Sequence, residues 1–258
     1  MSEIEFLSPP APVSMADEWF EYATDSHFWM QWRHRVLLQE LQRAGHRLRN
    51  VLDVGCGNGA VRKMLEHDLG IPVDGCDLNL GALRMAKPGD GQLFVYNILD
   101  QEPSMLGRYD AVFLLDVIEH IDDDATFLAA ALQHLRCGGL VVVNVPASMT
   151  LYSDYDRVQG HRRRYTARNL SQLFERCGVK PETVRPWGFL AVPLLLVRKV
   201  VLHGVKTGAT VRTGFVPPNS AAGFFMHGLK NIELALPFTM PLGTSLLAWG
   251  RVSKSDGH

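Results

Sequence analysis

Three glycines at alternating positions, Gly55, Gly57 and Gly59, follow a short apolar segment that begins at Val51. Glycine permits tight turns, and it lets a ligand lie against the backbone where a side chain would block it. Parallel α/β sheets bind ligands at such turns, beyond the carboxyl ends of their strands. A tight turn without a ligand would not need three glycines, so the run predicts an α/β fold with a binding site after its first strand.

From residue 50 onward, short apolar runs alternate with longer amphipathic ones, which is typical of βαβ units and a parallel sheet. The right-handed crossover rule places the helices of such units on both faces of one sheet. With 258 residues, of which 47% are hydrophobic, the chain can close one large core. We place seven strands near residues 50–54, 72–76, 92–96, 110–115, 139–145, 182–188 and 245–252, and helices near residues 59–69, 79–87, 123–135 and 167–177.

The N-terminal segment is predicted to be an addition to this sheet. Residues 1–14 contain three prolines and should form a loose arm, whereas residues 15–48 have the apolar spacing of one or two amphipathic helices. We therefore divide the chain into an N-terminal arm and helical lid, residues 1–48, and a main domain, residues 49–258.

A second addition, residues 189–244, is predicted before the last strand, with helices near residues 190–204 and 221–236. Its apolar run from Phe189 is too short to cross a membrane. The segment can extend the core, form a homodimer contact, or roof a lipophilic or aromatic substrate with peripheral membrane contact. The sequence does not separate these alternatives.

The charge balance and the cysteines limit the expected partners and compartment. The 26 basic and 27 acidic residues nearly cancel, so no overall field favours nucleic acid. The four cysteines lack the spacing of a zinc site or of a secreted disulfide framework, and residues 1–12 lack the basic start and apolar run of an export signal. We expect a cytoplasmic protein that binds a small molecule and no nucleic acid.

The spacing of the glycines and the acids beside them narrow the class of ligand. Dinucleotide sites prefer Gly-x-Gly-x-x-Gly, and here the third glycine comes one residue early. Asp53 would repel a pyrophosphate but could hold a cationic amino group. Asp77, at the end of the second predicted strand, is placed to accept hydrogen bonds from ribose hydroxyls. The pattern indicates a ligand with a ribose and without a pyrophosphate.

Two further strand ends carry the sequences 96–100 (YNILD) and 114–121 (LLDVIEHI). Together with the glycine turn and Asp77, they resemble the ordered motifs of the class I S-adenosylmethionine-dependent methyltransferases, and the resemblance spans roughly residues 27–188. The resemblance implies a Rossmann-like seven-stranded sheet, an N-terminal helical lid, a helical insertion before the last strand, and S-adenosyl-L-methionine as the cofactor.

The resemblance also implies which residues bind the cofactor. The glycine turn packs against its methionine part, Asp77 binds its ribose, residues 97–99 flank its adenine, and Asp116 and Val117 line it below the methyl group. Asn97 stands where the family more often has aspartate, but an amide oxygen can also accept from the adenine amino group. The residues predicted to bind the cofactor are Arg33, Asp53, Gly55, Cys56, Gly57, Asn58, Gly59, Asp77, Leu78, Asn97, Ile98, Leu99, Asp116 and Val117.

A closer resemblance is carried by the segments 27–33 (HFWMQWR), 146–147 (PA), 154–156 (DYD) and 160–166 (GHRRRYT). Small-molecule methyltransferases of bacterial biosynthetic pathways, of the type 11/12 kind, look similar. In such enzymes the N-terminal helices form a lid and offer an arginine to the cofactor carboxylate. This resemblance points to Arg33 or Arg35.

Methyl transfer from a sulfonium requires the nucleophile to be held in line with the methyl carbon, and water to be excluded. His161 is the first candidate for a base, because it follows the fifth strand and imidazole titrates near neutral pH. Asp116, below the methyl group, is the second predicted catalytic residue. Tyr152 and Tyr155 are predicted to contact the substrate. For His161 and both tyrosines, simple packing is the alternative.

A basic run, Arg162 to Arg164, precedes a predicted helix. At least two of these arginines are expected to solvate the surface and to pair with Asp154 or Asp156. The remaining one can meet an anionic group of the substrate, because arginine suits carboxylate and phosphate.

Asp116, Glu119 and His120 raise the question of a metal ion. Ubiquinone-pathway O-methyltransferases and some RNA 2′-O-methyltransferases, which this segment resembles, place such a set here to bind a divalent cation. The cation would lower the pKa of a substrate hydroxyl. Many metal-free relatives have the same Glu-His pair at this turn, and we predict no metal.

We expect methyl transfer to a small, partly apolar biosynthetic intermediate, with oxygen as the acceptor atom and carbon or nitrogen as open alternatives. A nicotinamide-dependent oxidoreductase would need the glycine spacing that this turn lacks. The other alternative is a catalytically silent adapter that binds a partner or a membrane through residues 189–244.

Overall fold

The computed structural model describes residues 3–13, 18–45, 47–201 and 219–253. Within them, eight strands form one mixed sheet. The strands are β1 (Ile4–Phe6), β2 (Val51–Val54), β3 (Val73–Asp77), β4 (Leu93–Val95), β5 (Tyr109–Leu115), β6 (Leu135–Pro146), β7 (Pro181–Trp187) and β8 (Ser245–Arg251). Their order across the sheet is β1-β4-β3-β2-β5-β6-β8-β7.

The described residues also contain nine α-helices. These are α1 (Glu18–Tyr22), α2 (Phe28–Ala44), α3 (Ala60–Leu69), α4 (Leu80–Arg84), α5 (Asp124–Leu132), α6 (Asp154–Val158), α7 (Ala167–Arg176), α8 (Val192–Val201) and α9 (Ser220–Ala235). Helices α1 and α2 confirm the amphipathic helices predicted for residues 15–48.

Strands β1 to β6 are parallel to one another, and β8 lies antiparallel between β6 and β7. All seven predicted strands are present. The prediction of a loose arm over residues 1–14 was wrong for β1, because Ile4 pairs with Leu93 and Phe6 with Val95 at the edge of the sheet. A three-residue strand has no periodicity of its own, and it pairs here because β4 offers a free edge. The sheet therefore has eight strands rather than seven.

Helices cover both faces of the sheet, as the alternation of apolar runs predicts. On β5, Val112 and Leu114 belong to a core cluster that includes residues of α5 and α7. Ala111 and Phe113, the alternating residues, belong to a second cluster with residues of α2 and α3. Successive side chains of a strand point to opposite faces, so a strand buried on both faces is apolar throughout.

Helix α2 ties the N-terminal segment to the far side of the sheet. It ends at Gly45, which adopts the left-handed conformation (φ 64°) that favours glycine. Its buried Glu40 accepts a hydrogen bond from Arg185 of β7 (2.9 Å) and another from the indole N–H of Trp249 of β8 (3.1 Å). The helix therefore packs as part of the core and forms one fixed wall beside the carboxyl ends of the strands.

The predicted insertion contains α8 and α9. Its middle, residues 202–218, lies outside the described residues, and so does the end of the helix predicted near residues 190–204. Helix α9 packs on α2, and its Glu233 accepts a hydrogen bond from the backbone N–H of Gly188 (2.6 Å). Among the helices of the described ranges, none is long and apolar enough to cross a membrane.

Candidate active site

A cavity of about 1600 Å³ lies beyond the carboxyl ends of β2 to β5. Its walls come from these strand ends, from the N-terminal helices α1 and α2, and from α8 and α9. Ligand pockets usually enclose about 300–1000 Å³. The cavity therefore has room for two molecules side by side.

The glycine turn forms one wall of this cavity. Gly55, Gly57 and Gly59 have φ values of 70°, 54° and 68°, a region that side chains rarely adopt. A Cβ atom on Gly57 would lie 2.6 Å from Cε1 of Phe20, and one on Gly55 would lie 2.7 Å from Cγ2 of Val117. The turn thus needs glycine for its conformation and also for the close packing of its neighbours.

Helix α1 is held over this turn by a side chain of the turn itself. The amide nitrogen Nδ2 of Asn58 donates to the backbone carbonyl of Phe20 (2.8 Å) and to that of Ala23 (3.3 Å). Phe20 is buried and lines the cavity. Helix α1 therefore closes the cavity on the side of the glycine turn.

Asp77 has a fixed carboxylate at the end of β3. Its Oδ2 accepts from the backbone N–H of Gly57 (2.9 Å), and its Oδ1 accepts from that of Asn79 (2.8 Å). Burial raises the pKa of Asp77 above its ordinary value, although these backbone hydrogen bonds oppose the rise. Each carboxylate oxygen keeps a second lone pair, so both can still accept from a ligand.

Asp53, at the end of β2, is buried and lines the same cavity. Burial raises its pKa to about 7, although the positive charges of Arg33 and Arg62 oppose the rise. A cation placed beside this carboxyl group would favour the ionised form. The site is therefore electrostatically suited to an ammonium group.

Asp116 stands in an unusual backbone conformation after β5. Its φ is 62°, a left-handed value that is uncommon for residues other than glycine. Its carboxylate is paired with the guanidinium of Arg33 and accepts from Nδ2 of Asn144 (2.6 Å). Oδ1 of Asn144 in turn accepts from the indole N–H of Trp187 (2.9 Å). This network holds the conformation of Asp116 and fixes Arg33 at the cavity wall.

His161 is oriented by a buried carboxylate. Its Nδ1 lies 3.0 Å from Oδ1 of Asp156, which has no exposed surface. Asp156 also accepts from Nε of Arg164 (2.8 Å) and from the backbone N–H of Ser153 (2.8 Å). Burial alone would raise the pKa of Asp156, but the hydrogen bond from His161 and the charge of Arg164 hold it well below its usual value.

This pair sets the tautomer of the imidazole. An ionised carboxylate can only accept, so Nδ1 of His161 must carry the hydrogen that it donates to Asp156. In the neutral ring, Nε2 is then the nitrogen with a free lone pair. His161 lines the cavity, and the geometry gives it the form that can accept a proton.

His161 also belongs to a cluster with Glu119 and His120, whose possible ligand atoms lie within 4.8 Å of one another. Glu119 is fully buried, and neither of its carboxylate oxygens has a hydrogen-bond partner among the described residues. Burial, reinforced by the charge of Asp116, raises the pKa of Glu119 well above its usual value. Burial lowers the pKa of His120 to about 3, and a charge on His161 acts in the same direction.

The set that could hold a metal thus differs from the one weighed in the sequence. One carboxylate and two imidazoles suit zinc, manganese or iron. Asp116 faces Arg33 and Asn144 instead, and the third member of the cluster is His161. The absence of a metal stays a prediction.

The two tyrosines predicted to contact the substrate have different positions. Tyr155 is buried and lines the cavity, with the guanidinium carbon of Arg198 4.1 Å from its ring centroid. Burial raises the pKa of Tyr155 to about 12. Tyr152 is not among the residues that line the cavity, and its hydroxyl donates to the backbone carbonyl of His161 (2.8 Å). Tyr152 therefore supports the loop of His161 from behind.

Residues 24–184 match the family model described as a methyltransferase domain, which is more than half of the chain. The chain belongs to this methyltransferase family. The resemblance of the strand-end motifs to class I methyltransferases is thereby confirmed.

Two curated proteins that this methyltransferase-family chain resembles are bacterial. Over 163 residues it is 28% identical to a protein of Mycolicibacterium smegmatis named "Probable S-adenosylmethionine-dependent methyltransferase", a match that covers 61% of this chain and 62% of the relative. Over 104 residues it is 34% identical to the ubiquinone biosynthesis O-methyltransferase of Aromatoleum aromaticum, covering 38% of this chain and 44% of the relative. The chain therefore spans less than two thirds of the length of these relatives.

A solved structure shows the same fold. The magnesium protoporphyrin IX methyltransferase of Synechocystis PCC 6803, solved with bound S-adenosylhomocysteine, superposes with a TM-score of 0.54 at 12% identity. The match covers 88% of this chain and 84% of that chain. The likeness concerns the fold alone, and it confirms the predicted Rossmann-like α/β architecture of the methyltransferase family.

The cavity of this methyltransferase-family chain brings most of the predicted site residues together. Gly59 and Leu99 do not line it: Gly59 caps the N-terminus of α3, and Leu99 is 47% exposed in a short turn after β4. Arg35 is exposed, so Arg33 is the arginine at the wall. The predicted residues that line the cavity are Arg33, Asp53, Gly55, Cys56, Gly57, Asn58, Asp77, Leu78, Asn97, Ile98, Asp116, Val117, Tyr155 and His161.

Sequence reasoning did not identify Asp156 as the carboxylate that orients His161. It was considered only as an ion-pair partner of the basic run, and the structure pairs that run differently. Arg162 and Arg163 lie next to Asp122 (3.2 Å) and Asp124 (3.0 Å), and only Arg164 reaches Asp156. The pattern Ser153-x-x-Asp156 is a capping box, and this signal could have indicated a fixed carboxylate.

Proposed function

We propose that this protein transfers the methyl group of S-adenosyl-L-methionine to a small, partly apolar acceptor, and that the acceptor atom is oxygen. The observation that supports this proposal is the single cavity that combines the glycine turn and Asp77 with His161. The proposal joins a cofactor region at the strand ends to a proton acceptor on the loop after β6.

In this proposal the acids of the strand ends recognise the cofactor. Asp77, already fixed by two backbone N–H groups, accepts hydrogen bonds from the ribose hydroxyls. Asp53 attracts the ammonium group of the methionine part, and Arg33, which lines the same cavity, attracts its carboxylate. When bound, S-adenosylmethionine supplies an electrophilic methyl group. The side chains of Phe20 and Val117 help to exclude water from the turn.

His161 acts as the general base on the acceptor hydroxyl. Its Nε2 would accept the hydroxyl proton as the acceptor oxygen takes up the methyl group that a bound cofactor would supply. Asp156 keeps Nδ1 protonated and stabilises the imidazolium that results. The imidazolium then returns its proton to solvent.

An oxygen acceptor is favoured by this base and by the relatives. A hydroxyl must lose a proton on methylation, and the neutral tautomer of His161 can take it. The match with the ubiquinone biosynthesis O-methyltransferase of Aromatoleum aromaticum supports the same acceptor atom. No feature of the described ranges favours a catalytically silent adapter over an enzyme.

We also propose that residues 1–48 act as the lid of the main domain, residues 49–258. Asn58 and Phe20 hold α1 against the glycine turn, and α2 forms a fixed wall. In this proposal α1 moves away from the glycine turn when the cofactor enters.

The base and a metal would compete for one nitrogen. Nδ1 of His161 is bonded to Asp156, so a metal held with Glu119 and His120 would need Nε2. We therefore expect methyl transfer to survive dialysis against a chelator, and added Zn²⁺ to inhibit it. If chelation abolished the activity and a divalent cation restored it, the result would contradict His161 as the base and favour a metal-dependent mechanism.

Cofactor binding tests the proposal directly. A ligand at about 100 times its Kd stabilises a fold by about 2.7 kcal/mol, so S-adenosylhomocysteine should raise the unfolding temperature by several degrees. NAD should have no effect. Asp77→Ala should remove most of the stabilisation, and Asp122→Ala, which changes an exposed acid, should keep it. Stabilisation by NAD and not by S-adenosylhomocysteine would refute the proposal.

A further inference from the structure

The cavity has a polar end and an apolar end. The strand ends supply Asp53 and Asp77 at one side, whereas α8 and α9 supply mainly apolar side chains, such as Leu195 and Met226. Among the described residues of these two helices, Arg198 is the one charged side chain in the lining. Cofactor recognition in the proposed function uses the polar end. The apolar end is the part of the cavity left for the acceptor.

Helix α8 is unusually exposed for its composition. Only Arg198 and Lys199 are charged in a helix that otherwise consists of valine, leucine and one proline, and none of its residues is buried. Both charged side chains are drawn to one side, since Arg198 lies over the ring of Tyr155 and Lys199 donates to the backbone carbonyl of Thr150 (2.8 Å). An apolar helix normally hides its surface, but the described part of the chain leaves the remaining surface of α8 exposed.

Three side chains belong both to the cavity wall and to the outer surface. Val197, Val201 and Phe225 line the cavity, yet they are 60%, 59% and 56% exposed. At these three positions the apolar wall therefore continues from the interior to the surface. A molecule that followed this wall would keep its apolar contacts as it left the cavity.

We infer that the acceptor carries an apolar chain, which runs from the cavity outward between α8 and α9. This inference rests on the proposed function, because it assigns the apolar end of the cavity to the methyl acceptor. It specifies an amphipathic acceptor: a reactive head beside His161 and a hydrocarbon chain along Val197, Val201 and Phe225.

The two helices provide matched control positions. Val200 is 77% exposed and Phe224 is 83% exposed, and neither lines the cavity. A bilayer or a second copy of the chain would use such prominent side chains at least as much as the others. A chain that leaves the cavity would use Val197 and Phe225 and ignore their neighbours.

The test measures the binding of straight-chain alcohols, from 1-hexanol to 1-decanol, to the full chain saturated with S-adenosylhomocysteine. Trp29 lines the cavity, so its fluorescence can report binding. Each buried methylene should strengthen binding about threefold to fourfold. Val197→Asn and Phe225→Asn should each weaken 1-decanol binding by about tenfold, and Val200→Asn and Phe224→Asn should leave it within about twofold.

Two results would overturn the inference. One is an affinity that does not depend on chain length. The other is an equal loss in the lining and control variants, accompanied by binding to vesicles of phosphatidylcholine and phosphatidylglycerol, or by a dimer in sedimentation, that Phe224→Asn abolishes. Each variant should keep its affinity for S-adenosylhomocysteine, which shows that it is folded. If that affinity is intact in the wild type while the alcohols fail, the inference fails and the proposed function stands.

Discussion

The carboxyl group of Asp53 lies at the end of β2, where 2% of the residue is exposed. Its environment makes it a weaker acid than an ordinary aspartic acid. Because burial raises its pKa to about 7, a large part of the population is protonated near neutral pH. A raised pKa in the folded state means that the fold loses stability as the pH rises from about 4 to about 7. A cation bound beside the carboxyl group would stabilise its ionised form.

We expect the affinity for S-adenosylhomocysteine to rise about tenfold between about pH 6 and about pH 8, as Asp53 becomes ionised. Calorimetric titration at several pH values measures this slope. Asp53→Asn should flatten it, whereas Asp122→Asn should retain it. An unchanged slope in Asp53→Asn would assign the pH dependence to another group.

Asp156 is a positioning residue in the proposed reaction, because it acts on the acceptor through His161. We expect Asp156→Asn to lower kcat by about 10²- to 10⁴-fold while the Kd of S-adenosylhomocysteine stays the same. The variant also leaves Arg164 without its buried partner, at a cost of about 3–5 kcal/mol in unfolding free energy. Assays should therefore be run well below its unfolding temperature.

The pH dependence of the rate separates positioning from simple stability. General-base catalysis makes the rate of the wild type rise with pH. This rise should disappear in His161→Gln and move to a different pH range in Asp156→Asn. A variant that is only less stable would keep the profile at a lower amplitude. In that case His161 and Asp156 would be structural.

The residues that sequence could identify are those whose place follows from strand order. Asp53 and Asp77 end neighbouring parallel strands, so their meeting at one edge is a consequence of the topology. Tyr152 and Tyr155 show the limit of this reasoning. A short helix begins at Asp154, between them, and turns one ring into the cavity and the other behind the loop of His161. No periodicity over so few residues indicates which ring faces the cavity.

At the scale of elements, α1 and the glycine turn form one unit. Gly57 can be close to Phe20 only because it has no Cβ atom. Gly45 has a similar φ of 64°, but among the described residues beyond its chain neighbours no atom lies within 4 Å of the position of its Cβ. Substitutions at these two glycines can therefore distinguish the free-energy cost of the backbone conformation from the cost of crowding.

Gly57→Ala should destabilise the protein more than Gly45→Ala does. The second change costs the backbone strain alone, about 1–2 kcal/mol, and the first adds crowding of about 1–3 kcal/mol. Urea unfolding measures both free energies. Adding Phe20→Ala should recover the extra cost in Gly57→Ala and not in Gly45→Ala. Equal costs for the two glycines would show that α1 does not press on the turn.

The sequence predicts an element well where its apolar pattern is long. It predicts an element poorly where the structure depends on pairing with a neighbouring strand. The pattern of β5 is apolar from Ala111 to Leu115 and indicates a central strand. Strand β1 has three residues, and only the free edge of β4 makes it a strand. The exposed surface of α8 was also beyond sequence reasoning, because an apolar helix is normally expected to be buried.

For the molecule as a whole, Glu40 connects parts that are far apart in the sequence. It joins α2 to β7 through Arg185 and to β8 through Trp249. Removing the carboxylate of Glu40 would strongly destabilise the fold, because the guanidinium of Arg185 would keep its charge without this partner.

We expect Glu40→Ala to lower the unfolding free energy by about 3–5 kcal/mol and to leave the Kd of S-adenosylhomocysteine unchanged at low temperature. Thermal and urea unfolding measure the loss. Glu182→Ala is the matched control, because its pair with Arg251 is partly exposed and should contribute about 1 kcal/mol or less. Similar losses in both variants would mean that Glu40 is not a central connection.

The position of β8 has a consequence for the order of assembly during synthesis. It lies between β6 and β7, although it is made about 60 residues after β7 in a chain that emerges from the ribosome in sequence. Until residues 245–251 have emerged, β7 has no neighbour in the sheet and the indole of Trp249 cannot reach Glu40. The nascent protein can therefore form its glycine turn early, but it completes its sheet only with its last strand.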